Sequence, residues 1–374
     1  MKVLIAGDFC QRYRVDEMLT NSNYNMFDLV KPIINSCDIR IVNFEFPIVS
    51  DNSSPIDKVG PVLGGTHASI DALLSAGFNV CTLANNHILD QGEMSCLDTK
   101  ETLEKFGIKT VGVGKNIQDA SKILYIRINE QTLAIINCCE HEFSVATETT
   151  VGANPLNVVK QFYAINEAKS KADYVLVIVH AGIEHYQLPT PRMKENYRFF
   201  IDAGADAVVN HHQHCYSGYE IYHDRPIFYG IGNFLFDSPR LRNNIWNEGY
   251  MVELDFSQLG VEYKIYPYNQ CNETPIVELL NDDANESFIN RIHELNSIIL
   301  SDTVLSTTLD SYIEKNSKFI LSSFTPWTNR IFIAAFVRGL LPSFLSKKQK
   351  KHIKSRIMCE SHFDITLREL SKKK

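Results

Sequence analysis

Ala207-Val208-Val209-Asn210-His211-His212-Gln213-His214 runs from three apolar residues straight into a cluster of imidazoles. A β-branched apolar run of this kind reads as a buried strand. In open α/β sheets, ligands bind beyond the carboxyl ends of the strands. Four further runs have the same form: Val3-Leu4-Ile5-Ala6-Gly7 leads into Asp8, 39–42 into Asn43-Phe44-Glu45, 80–84 into Asn85-Asn86-His87, and 175–179 into His180. One strand ending on a polar residue is ordinary loop chemistry. Five that end on oxygen and imidazole donors predict that the strand ends converge on a single site.

Helix-like segments separate these strands, at 69–76, 93–106, 156–171 and 192–203, with Gly77, Gly107 and Gly204 where helices should stop. After His214 the apolar residues alternate with a period of two over 219–222, 226–231, 250–256 and 261–266. That pattern predicts strands paired as hairpins, and a second sheet packed on the first. From about Glu278 onward helices take over. The expected division is therefore a domain over 1–275 and a helical C-terminal extension over 276–374. Within the extension, an apolar stretch at 327–345 precedes Lys347-Lys348-Gln349-Lys350-Lys351-His352-Ile353-Lys354. This pairing suits a packed terminal helix with a solvated lysine face, or peripheral contact of 327–354 with an anionic membrane.

The 374 residues are 44% hydrophobic and 22% charged, the composition of a globular chain with a sizeable core. A formal net charge of −7 gives no electrostatic case for nucleic acid. The nine cysteines are odd in number, scattered and without a C-x-x-C pair, so buried free thiols are expected rather than a disulfide framework. Met1-Lys2 is followed at once by a strand, leaving no room for a signal peptide. No apolar run is long enough to span a bilayer. The expected location is the cytoplasm, with the inner face of the membrane as the place for any peripheral contact.

Asp8, Glu45, Asn86, His180, His212 and His214 make a mixed oxygen and imidazole set without thiolate. Such a set suits a divalent metal of the Mn, Fe or Zn kind rather than a structural zinc site. A bridging carboxylate, with Glu45 as the candidate, can hold two ions about 3.5–4 Å apart. His87, beside Asn86, is the candidate proton donor. Asp90 is its candidate orienting partner, expected to raise its pKa. Asn43, Glu184 and His185 are candidate substrate contacts. The competing reading makes all of these polar strand ends that cap turns and helices.

Gly7-Asp8, Asn43-Phe44-Glu45-Phe46-Pro47 and Leu83-Ala84-Asn85-Asn86-His87-Ile88-Leu89-Asp90-Gln91-Gly92 resemble successive motifs of the CapA family of bacterial capsule synthesis proteins. Val179-His180-Ala181-Gly182-Ile183-Glu184, His211-His212-Gln213-His214 and Tyr229-Gly230-Ile231-Gly232-Asn233-Phe234-Leu235-Phe236-Asp237 continue the resemblance, over roughly residues 1–240. That family is similar to the calcineurin-like metallophosphoesterases. The resemblance therefore implies a four-layer α-β-β-α sandwich around a centre of one or two divalent ions. It also implies a metal-dependent hydrolase in the biosynthesis of a capsule or a poly-γ-glutamate-like polymer, attacking a phosphoester or a γ-linked amide. The partners implied are an anionic polymer or phosphorylated substrate and other capsule synthesis proteins. Cys10 departs from the pattern, standing where the wider fold places a metal-binding His. That departure leaves room for an alternative, a non-enzymatic accessory of polymer synthesis or export with a degenerate metal site.

Overall fold

Lys2–Cys10 is a strand buried at every position after Lys2, as an unbroken apolar run must be when both faces of its sheet are covered. Its alternate side chains enter different cores: Val3 and Ile5 one, Leu4 and Ala6 another. The computed structural model, which describes residues 1–370, places this strand inside an eight-stranded sheet. Ile39–Phe44, Val80–Thr82 and Lys109–Val111 follow in parallel on one side. Glu248–Ser257, Gly260–Gln270 and Val277–Leu279 continue antiparallel on the other, and Asn233–Phe236 pairs with the strand's end.

A second sheet of six strands runs in the order Tyr219–Tyr222, Arg225–Phe228, Ala207–His211, Tyr174–His180, Gln131–Cys139, Leu124–Ile128. The core that takes Val3 and Ile5 also holds Leu133, Ile135, Leu176, Ile178, Val209 and Phe228, so it lies between the two sheets. Leu4 and Ala6 pack with Ile70, Leu73, Cys96 and Leu103 of the helices Ala68–Ala76 and Gly92–Lys105. Val158–Lys171 and Pro191–Asp202 bury Ile165, Ala168, Tyr197 and Phe200 on the strands of the second sheet. The layers are thus helix, sheet, sheet, helix, the expected four-layer sandwich. All nine cysteines are free, and all but Cys359 are buried.

Three details differ from the sequence reading. The late alternating strands do not form the second sheet by themselves. Tyr219–Tyr222 and Arg225–Phe228 edge the second sheet, whereas Glu248–Ser257 and Gly260–Gln270 join the first. Tyr250, Val252, Leu254 and Phe256 decide this, because together they fill the inter-sheet core beside Val3 and Ile5. The first unit also runs past residue 275 to Leu305, since the helix Asp282–Leu300 sinks Phe288 and Ile292 into that same core. Finally, the apolar stretch 327–345 forms only the short helix Arg330–Val337 before Gly339 and Pro342. The second unit, Ser306–Lys374, is otherwise made of the end of Asp302–Ser322 and the helices Lys347–Met358 and Glu360–Leu370. Among the described residues no helix is long and apolar enough to cross a membrane.

The first strand is interrupted where it matters. Its register against Ile39–Phe44 shifts between Ala6 and Asp8, a bulge of the kind that re-aims a side chain. Gly7 sits in the shift, and a Cβ there would come 1.9 Å from the carbonyl oxygen of Gly232. The two backbones are tied by a hydrogen bond from Asp8 N–H to that same oxygen at 3.2 Å. Gly7→Ala is therefore expected to destabilise the protein by about 3 kcal/mol, the upper end for overpacking because the obstacle is backbone. Urea unfolding of the purified variant measures this, and a loss under about 1 kcal/mol would mean the strand can shift aside.

Candidate metal centre

The candidate residues leave from strand ends of both sheets. Asp8 stands opposite Asn43 in the first sheet, and His211 opposite His180 in the second. The strand Ala207–His211 then breaks. His212 and His214 take positive φ values of 89° and 53°, a conformation uncommon for residues with a Cβ and found often at functional sites. The turn brings both imidazoles to one cluster of carboxylates and nitrogens instead of leaving them along a strand face.

Asp8 Oδ2 lies 3.5 Å from His214 Nδ1, His214 Nε2 lies 3.5 Å from Glu45 Oε1, and Glu45 Oε1 lies 3.9 Å from His180 Nε2. His180 Nε2 is in turn 3.1 Å from both Asn86 Oδ1 and His212 Nδ1. The backbone N–H of His212 closes the ring by donating to Asp8 Oδ2 at 3.2 Å. All six residues singled out as ligands thus meet in one buried cluster. Within it, Asp8, Glu45 and His214 each offer a ligand atom within 4.8 Å of the others.

Neighbouring groups orient these donors. Asn233 Oδ1 lies 2.9 Å from His214 Nδ1 and accepts its hydrogen bond, which aims Nε2 at Glu45. Asn86 Nδ2 donates to Glu142 Oε2 at 2.8 Å, which turns the amide oxygen towards His180. Asn43 Nδ2 donates to Asp8 Oδ1 at 2.7 Å.

A cation fits this arrangement. Glu45 Oε1 is buried without a hydrogen-bond donor, and the ring nitrogens His214 Nε2 and His180 Nε2 stand 3.5 and 3.9 Å from it. Burial, with Asp8 and Glu184 adding to it, pushes the Glu45 carboxyl well above its usual range. Burial, with His212 and His211 next, holds His180 well below the usual imidazole value and so neutral. Oxygen and imidazole donors, shut away from water, are a set that a divalent metal completes.

The remaining candidates divide. His87 is buried beside Asn86, with Nδ1 2.7 Å from Asp90 Oδ2. Asp90 does not cap the next helix, whose N-cap is Gln91. Asp90 raises the His87 pKa as expected, but burial outweighs it. Burial lowers it most, Asp90 pulls it up, Lys58 pushes it down, and the result lies below the ordinary value. Asn43 is 1% exposed, so it is closed to substrate and serves to hold Asp8 instead. Glu184 and His185 stand exposed, and the His185 ring lies 5.5 Å from that of Trp246, itself 4.9 Å from His214. Burial pushes Glu184 up, but His214 and His212 outweigh it and hold the carboxyl below its usual range.

The sequence reading missed Lys58, Glu142 and Trp246. Glu142 follows the end of Gln131–Cys139, a strand end of the same kind as the other five, and that signal was there to be used. Lys58 lies in the irregular segment 51–67, which carries no periodicity. Its buried ammonium pairs with Asp90 Oδ1 at 2.5 Å and lies 3.1 Å from His87 Nδ1. Lys58→Met is expected to destabilise the protein by about 3–5 kcal/mol, the cost of leaving one member of a buried ion pair alone. Adding Asp90→Asn should restore much of that loss in urea unfolding. A single-variant cost under about 1 kcal/mol would show that water reaches the pair.

The profile of the family described as bacterial capsule synthesis protein PGA_cap matches residues 2–238, the span that holds every converging residue. A capsule biosynthesis protein CapA of Bacillus anthracis is 30% identical over 246 residues, covering 63% of this chain and 60% of that one. A PGA biosynthesis protein CapA of Bacillus subtilis (strain 168) is 34% identical over 256 residues, covering 67% and 66%. The match spans less than two thirds of the length of these curated relatives. Among solved structures, a putative 5′-nucleotidase from Staphylococcus aureus is similar with a TM-score of 0.47 at 14% identity, covering 78% of this chain and 58% of that one. With the motifs in order along the sequence, their donors gathered in space and the profile spanning them all, this chain belongs to the PGA_cap family of bacterial capsule synthesis proteins.

Proposed function

We propose that this protein is a metal-dependent hydrolase acting on an anionic substrate in the making of a capsule-type polymer. The observation that carries the reading is the Glu45 carboxylate. One of its oxygens is buried without a donor, 3.5 Å from His214 Nε2 and 3.9 Å from His180 Nε2. On this reading Asp8, Glu45, Asn86, His180, His212 and His214 would hold one or two divalent ions. Ions of the Mn, Fe or Zn class supply a water of lowered pKa and polarise the bond under attack. The chain's own residues do the rest. His87 keeps Nδ1 on Asp90, which leaves Nε2 to pass a proton at the reacting oxygen. Glu184, His185 and Trp246 border the site and orient the substrate. The names of the Bacillus relatives point to a polymer such as poly-γ-glutamate, so the bond is a phosphoester or a γ-linked amide, with other capsule synthesis proteins as partners.

One observation favours a second reading, a non-enzymatic accessory. Cys10 packs in the helix-facing core with Leu4 and Phe9. Burial, with Glu45 next, holds its thiol well above the usual value. Cys10 is not among the described groups whose ligand atoms converge, so on this second reading one metal position lacks an imidazole.

Elemental analysis of the purified protein, with assays of aryl phosphoesters and γ-glutamyl polymer under added Mn²⁺ or Zn²⁺, separates the two. A hydrolase binds one or two ions per chain and turns over one of the substrates. His87→Ala should then lower kcat by about 10²–10⁴-fold with metal content unchanged. Metal bound without turnover, or no metal bound at all, leaves only the accessory reading. Asn233→Ala is expected to weaken metal affinity by roughly 10–100-fold, because it frees the His214 ring without touching a ligand atom. Competition against a metal-binding dye reads this directly.

A further inference from the structure

The stretch 327–358 carries eight Lys or Arg residues and no Asp or Glu, in a chain whose formal net charge is −7. Among the described residues none of the eight forms an ion pair with another side chain. The basic helix Lys347–Met358 opens on a capping box formed by Ser346 and Gln349 and buries none of its residues. Lys347, Lys350, Lys351 and Lys354 are spaced by three and four, so they share one face. Lys347 and Lys348 occupy the first turn, where the helix dipole disfavours positive charge. Nothing within the helix offsets this.

Beside this charge lie apolar side chains left in water. Ile331 is 77% exposed, Phe332 51%, Leu340 74% and Phe344 61%. From these features we infer that 327–358 docks on an anionic lipid surface, the apolar side chains entering the headgroup region and the lysines pairing with lipid phosphates. A short amphipathic segment of this kind lies in the interface rather than crossing it, in keeping with the absence of any long apolar helix among the described residues. Two other occupants fit less well. A polycarboxylate chain matches the lysines but has no use for Ile331 and Phe332. A second copy of this chain would bring eight positive charges against eight.

Co-sedimentation of the full chain with vesicles tests the inference. Binding is expected to vesicles containing phosphatidylglycerol and not to pure phosphatidylcholine, and to weaken as salt rises. Replacing four exposed lysines together, Lys347→Gln, Lys348→Gln, Lys350→Gln and Lys351→Gln, should weaken it by roughly two to three powers of ten. Ile331→Ser with Phe332→Ser should weaken it as well. Both sets lie at exposed positions, and far-UV circular dichroism checks that the helices persist. The inference is overturned by equal binding to both vesicle types, by no binding, or by an apolar variant that binds undiminished. It is equally overturned if soluble polyglutamate is bound in place of vesicles and the four-lysine variant loses that binding, or if sedimentation shows self-association that the apolar variant abolishes. None of these outcomes bears on the metal centre, which lies in the other unit.

Discussion

Glu45 carries a carboxylate into a place that water does not reach, with one oxygen meeting no donor. An uncompensated charge there costs on the order of several kcal/mol even after the surroundings relax. Everything around it answers that cost. Strand ends from both sheets deliver imidazoles to Glu45, and burial holds that of His180 well below its usual value. Asn233 and Glu142 fix the orientation of His214 and Asn86 by hydrogen bonds. A protein needing only a stable core would fill such a space with aliphatic side chains.

The neighbouring motif meets the same problem differently. Asp90 is as deeply buried as Glu45, but its cation is built into the chain as Lys58, and Leu63 N–H adds a hydrogen bond at 2.6 Å. His87 sits at the join, held by a carboxylate that favours its charge and beside an ammonium that opposes it. The fold thus gives one buried carboxylate a cation of the chain's own and leaves an oxygen of the other without a partner. That asymmetry is the clearest physical difference between the positioning part of the site and its metal-holding part.

Charge is also divided along the chain. The acidic excess belongs to the residues outside 327–358, while that stretch is wholly basic. A basic segment with exposed apolar side chains makes no contribution to a chemistry of buried donors. Its demands are met at a surface, as those of the metal centre are met in a cavity.

The sequence by itself determined the layers and the identity of most of the site. Apolar runs ending on Asp8, Glu45, Asn86, His180 and His212 were legible because a strand buried on both faces leaves an unbroken apolar signature, and its polar end stands out against it. Glu142 obeys the same rule, just beyond the strand Gln131–Cys139. Tertiary structure alone decided the rest. Which sheet each late hairpin joins depended on Tyr250 and Val252 lining up beside Val3 and Ile5 in the same sheet and on the same face, a pairing between residues more than two hundred positions apart. The burial of Asn43, the net lowering of the His87 pKa in spite of Asp90 and the placing of Lys58 beside Asp90 likewise arise from packing and from loops without period. Local pattern records which face of an element is apolar. It carries no record of how deeply a polar group will be buried or which distant charge will be put beside it, and those two quantities govern what the site can do.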